Sequence, residues 1–160
     1  VNSQGEGQIF GRKQADRMID LLKQSRAPFK FVLSGGQFLN TAKVYENHSN
    51  YAAERAYIIK RIEEENIKNV VFLTGDRHHS EYSRMPLSNG NTIYDFTISP
   101  LTSSANTNVK EQNEWQVEGS LIQERNFAIA TISGPRKERV LNFSFYSNTG
   151  KLLKSYKILE

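Results

Sequence analysis

The sequence contains no cysteine. That excludes a disulfide framework and any thiolate metal site, although it does not identify a compartment. No stretch is long and apolar enough to cross a bilayer, and the chain opens without a signal-peptide pattern. Concentrated charge is also missing. The net charge of +4 is spread over Arg12, Lys13, Arg17, Lys23, Arg61 and Lys68. Only Arg136-Lys137-Glu138-Arg139 stand together, and they read as a solvated turn. Clustered arginines interleaved with aromatics are absent, so no nucleic acid is expected as a partner. No internal repeat or low-complexity segment interrupts the chain.

What is present is globular composition. With 160 residues, 38% of them apolar, the chain can bury the core of one domain. It begins with Val rather than Met, and Val1 to Gln8 is polar. Residues 1–10 therefore read as a linker from a region upstream in a longer protein.

Periodicity divides the rest. Ala15, Met18, Ile19 and Leu22 fall at helical spacing, predicting a helix over 11–25 that ends before Pro28. Phe29 to Leu33 reads as a short buried strand broken by Ser34-Gly35-Gly36. Residues 40–50 read as a loop, and 51–66 as a second helix with Ala52, Ala56, Ile58, Ile59 and Ile62 on adjoining stripes. The consecutive apolar run of Asn69 to Thr74 suits a strand covered on both faces. Strands are also predicted at 92–99, 127–133, 140–146 and 152–158, the last two as a hairpin about Asn148-Thr149-Gly150. Residues 102–119 read as a long polar surface loop. Strand–helix alternation followed by strands indicates an α/β fold: a mixed sheet flanked by helices, with antiparallel additions at one edge.

Chemistry concentrates in Thr74-Gly75-Asp76-Arg77-His78-His79-Ser80-Glu81, directly after the strongest strand. In open α/β sheets, functional groups gather beyond the carboxyl ends of strands. Asp76 and His78 lie two apart, so in an extended segment their side chains project to one side. A carboxylate with an imidazole suits Zn, Mn or Fe better than Ca or Mg alone. The same residues also fit a plain polar turn with solvated histidines. Arg77 can bind a phosphate oxygen or pair at the surface with Glu81, and His79 can donate a proton to a leaving group or lie outside any site. In Ser34-Gly35-Gly36-Gln37-Phe38-Leu39-Asn40, Gln37 or Asn40 can orient a water or phosphate, or the segment is simply a turn. No Walker loop follows these glycines, and Ser99 lies in no nucleophile elbow. Trp115 reads either as a lid residue or as a core aromatic anchoring its loop.

Taken in order, Ala27 to Gln37, Glu54-Arg55, Phe72 to Glu81 and Thr97 to Thr102 resemble the C-terminal part of alkaline phosphatase D-type (PhoD-like) phosphatases. These are a branch of the calcineurin-like metallophosphoesterases. The resemblance runs from about Gly11 to the closing hairpin. It implies that 11–160 is the C-terminal half of a metallophosphatase α/β sandwich, with metal-dependent hydrolysis of phosphate mono- or diesters as the activity of the whole protein. The family's Gly-Asp-x-His motif matches Gly75, Asp76 and His78, making Asp76 and His78 the expected metal ligands. Arg77 and Gln37 are then candidates for the substrate and His79 for a proton transfer. The implied cofactors are divalent or trivalent ions, Fe, Zn, Mn or Ca. The family's N-terminal metal motifs have no counterpart here, so the implied partners are a phosphoester substrate and a missing N-terminal half. Relatives are commonly exported, which implies a periplasmic or extracellular location. The alternative is a non-catalytic binding domain on a degenerate phosphatase fold.

Overall fold

The computed structural model describes residues 7–160, so the linker reading of residues 1–6 lies outside the described residues. Elements run in the order α1 (Arg12–Gln24), β1 (Lys30–Leu33), a 3₁₀ turn (His48–Tyr51), α2 (Ala52–Glu64), β2 (Val70–Thr74), β3 (Glu81–Pro86), β4 (Thr92–Thr97), β5 (Asn126–Ser133), β6 (Val140–Ser147) and β7 (Leu152–Leu159). The first four strands form a mixed sheet of order β1-β2-β4-β3, in which β1, β2 and β4 are parallel and β3 runs antiparallel. The last three form an antiparallel sheet of order β5-β6-β7.

Strand β2 explains the layering. Successive side chains of a strand point to opposite faces, and every other residue of Val70-Val71-Phe72-Leu73 joins a different core. Val70 and Phe72 pack with Ala15, Ile19 and Leu22 of α1 and Ile58 and Ile62 of α2. Val71 and Leu73 pack with Phe96 and with Leu141, Phe143 and Phe145 of the second sheet. Three layers result: helices, mixed sheet, antiparallel sheet. The second interface is aromatic, with the ring of Phe96 stacked 3.9 Å from Phe143 and 4.4 Å from Tyr82.

Two sequence expectations change. The antiparallel addition at the mixed sheet's edge is β3, while the closing strands make a sheet of their own. Strand β3 was not anticipated, because Glu81 reads as the tail of the polar turn. Its signal lay downstream, where Asn89-Gly90 reverses the chain into β4, with Gly90 at φ +85°. The segment before α1 is also tied down. The Glu54 carboxylate accepts the amides of Ile9, Phe10 and Gly11, so α2 fixes where α1 begins.

Candidate functional site

The parallel order of β1, β2 and β4 brings three loops to one end of the mixed sheet. Beyond the strands the ladder continues: Ser34 N donates to Leu73 O at 3.0 Å, Gly75 N to Gly35 O at 3.1 Å and Ile98 N to Thr74 O at 2.8 Å. The 75–80 turn is thus fused to the loops after β1 and β4.

The turn is not extended. Asp76 and His78 have φ of +69° and +57°, a left-handed conformation that few residues tolerate and that Asp, Asn and His adopt most readily. Alternating it with an ordinary Arg77 coils the backbone so that Arg77 N donates to Gly75 O at 2.9 Å. His78 N is held by Ser99 Oγ at 2.9 Å, and His78 O accepts from Asn106 N at 2.6 Å. Asp76 and His78 are both exposed and line the same cavity, of about 460 Å³, together with Tyr45, Arg77 and Asn106. An oxygen and a nitrogen donor therefore share one opening, reached by a coiled backbone rather than by strand alternation.

The other candidate residues point inward. The Arg77 side chain is only 3% exposed. Its guanidinium donates to Gln37 Oε1 and pairs with Glu111, and it sits 4.9 Å from the centre of the Tyr45 ring. Its acidic partner is therefore Glu111 in the polar loop, not Glu81. Gln37 is fully buried, donating through Nε2 to Glu81 Oε1 at 2.6 Å and Thr97 Oγ1 at 2.9 Å. Asn40 joins it, donating to Gln37 Oε1 at 2.9 Å. His79 is also fully buried, with Nδ1 3.1 Å from the Arg77 carbonyl, which requires the proton on Nδ1, and with Nε2 unpartnered. Burial, reinforced by the charge of Arg77, pushes its pKa down to about 4. His79 is neutral near pH 7 and does not reach the cavity.

Sequence reasoning missed the carboxylates beneath this floor. Glu81 is 2% exposed and accepts amide donors from Gln37, Asn113 and Gln116. Burial outweighs these bonds and pushes its pKa up to about 7. Asp95 Oδ2 accepts Phe38 N and Leu39 N, each at 2.8 Å, while Oδ1 accepts Thr74 Oγ1 at 2.8 Å. Burial raises the Asp95 pKa as well. One carboxylate thus anchors the loop after β1, and the other joins that loop to residues 113–116. The isolated Asp95 inside the apolar run Ile93 to Phe96 was the available signal, since a lone carboxylate in a strand core must have buried donors. Trp115 turns out to be a partly buried anchor against the helix-side core.

Among the described residues, no group of three or more His, Cys, Asp or Glu side chains is placed to hold a metal ion. Asp76 and His78 bring a carboxylate and an imidazole to the cavity, which is fewer donors than such a group.

No curated protein matches the chain. A solved structure titled "Structure of PhoD" matches with a TM-score of 0.61 over 92% of this chain, at 19% identity. At that identity the likeness concerns the fold, and this chain spans 35% of the other's length. The family model described as PhoD-like phosphatase matches residues 2–137, which include all three segments that line the cavity, the carboxylates beneath it and Glu111. By that match the chain belongs to the PhoD-like phosphatase family.

Proposed function

We propose that this chain forms part of a metal-dependent phosphoester hydrolase, in which Asp76 and His78 ligate metal and the remaining ligands come from outside the chain. The observation that carries the reading is the shared cavity. A carboxylate and an imidazole open side by side beyond the carboxyl end of a parallel strand, on backbone fused to two neighbouring loops. A metal held there lowers the pKa of bound water and steadies phosphoryl oxygens; Fe, Zn, Mn or Ca are the candidates.

The protein groups have separable tasks. Asp76 and His78 present donors. Arg77 walls the cavity, with Gln37 fixing one guanidinium nitrogen, and borders the phosphoester. His79 holds the turn through the Arg77 carbonyl rather than passing a proton to a leaving group. A segment that brought the remaining ligands would have a surface to meet. Among the described residues one edge of β1 is unpaired, Leu33 is 75% exposed, and a groove of about 540 Å³ lined by Leu33, Leu73 and Ile98 leads to Asp76. Apolar side chains along an open strand edge favour pairing with another chain segment.

A second reading, a non-catalytic binding domain, draws on the count of two donors where a closed metal site needs more. Metal analysis and bis-p-nitrophenyl phosphate hydrolysis on full-length protein separate the two. Asp76→Ala and His78→Ala should each lower bound metal and reduce the rate by at least about 100-fold. Unchanged metal content and rate in both variants would refute the ligand assignment. Intact metal binding with no turnover on any ester would favour the binding domain.

A further inference from the structure

Arg77 is the only arginine or lysine lining the cavity among the described residues, and its charge is already answered. Glu111, 13% exposed, pairs with the guanidinium. This contact is built rather than casual, because the loop is pinned on both sides of Glu111. Before it, Asn106 N donates to the His78 carbonyl at 2.6 Å. After it, Asn113 Nδ2 donates to Glu81 at 3.0 Å and Ser83 Oγ at 2.9 Å, and Glu114 N donates to Thr41 Oγ1 at 3.0 Å. Arg77 cannot easily turn away, since Gln37 holds one of its nitrogens and Tyr45 covers its face.

From this arrangement we propose that Glu111 is a specificity-determining residue: by neutralising Arg77 it makes the cavity favour phosphodiesters over phosphomonoesters. The inference rests on the phosphoester reading and deepens it. A phosphomonoester carries close to two negative charges above its second ionisation near pH 6, whereas a diester carries one. A free arginine at the cavity wall rewards the extra charge, and an arginine paired with a partly buried carboxylate does not. The unpaired state of Arg77 is then the feature that would select monoesters, and Glu111 withholds it.

The test compares kcat/KM for p-nitrophenyl phosphate and bis-p-nitrophenyl phosphate at pH 8, using full-length protein. Glu111→Gln should raise the monoester-to-diester ratio by about tenfold, the scale of one unit charge in a partly buried site. Glu111→Ala should move it in the same direction. Adding Arg77→Gln to Glu111→Gln should return the ratio to its starting value, because the gain comes from the arginine. In parallel, calorimetry on Glu111→Gln should show inorganic phosphate gaining about tenfold more affinity than diethyl phosphate gains. An unchanged ratio in both Glu111 variants, or a gain that survives in the double variant, overturns the proposal. If no form hydrolyses either ester, the hydrolase reading fails and the phosphate titration alone judges Glu111. Equal phosphate affinity in wild type and Glu111→Gln, or none in either, then counts against it.

Discussion

Glu81→Gln isolates the energetic consequence of burying a carboxylate under the site. The folded state moves the Glu81 pKa from an ordinary 4.5 to about 7. A raised carboxylate pKa means that the folded chain holds its proton more tightly than the unfolded chain. Stability from this group is present below pH 4.5 and is lost as pH rises toward 7. At 1.36 kcal/mol per pH unit, the displacement amounts to about 3 kcal/mol. His48 and His79 act in the opposite sense. Burial pushes each down to about 4, so the unfolded chain binds more protons between pH 4 and 6.5 and stability rises across that window. Because both histidines remain in the variant, they cancel in the difference between the two proteins. Urea unfolding followed by circular dichroism at pH 5, 6, 7 and 8 reads that difference. The stability of Glu81→Gln minus that of wild type should grow by about 2.5 kcal/mol from pH 5 to pH 8, most steeply between 5 and 7, the rest of the displacement falling below pH 5. Curves that run parallel would refute the argument, because Glu81 would then titrate alike in both states.

The remaining predictions concern what holds the site in place. Asp95→Ala leaves the buried amides of Phe38 and Leu39 without acceptors and should cost about 3 kcal/mol in urea unfolding, since each stranded donor costs roughly 1–3 kcal/mol. Phe96→Ala opens the space between Phe143 and Tyr82 and should cost about 3–5 kcal/mol by the same assay. Gly36→Ala places a methyl 2.5 Å from the Glu46 carbonyl oxygen, a backbone atom with little freedom to yield. It should destabilise by about 1–3 kcal/mol, and NMR shifts should change at Gln37 beside it.

Much of the architecture was legible because it is written in local pattern. Helices α1 and α2 follow from apolar stripes at helical spacing, and the doubly covered β2 from an unbroken apolar run. Strand β3 was hidden because its first residue, Glu81, belongs chemically to the polar turn before it. At the site, their spacing and the strand they follow singled out Asp76 and His78, but the geometry that brings them to one cavity is a coiled backbone and not the extended segment the spacing suggested. What could not be read was long-range pairing. Gln37 and Thr97 are 60 positions apart, and Arg77 lies 34 from Glu111. For Arg77 the acid that offered itself was Glu81, four positions on, and proximity in sequence pointed to the wrong carboxylate. The left-handed conformations of Asp76 and His78 were equally invisible, since Asp and His occupy many turns without adopting them.

Trp115 gives the cavity an unplanned observer. It is the only tryptophan in the chain, and its indole rests partly buried on the helix-side core. The backbone carbonyl of the same residue accepts from Arg84 N at 3.0 Å, and its amide donates to Asn113 Oδ1 at 3.1 Å. Lifting the loop that carries Glu111 would therefore draw the indole toward water and shift its emission to longer wavelength. Ligands that leave the loop seated would leave the spectrum unchanged. Occupancy of the cavity can thus be sorted, without any label, into events that displace the loop and events that do not.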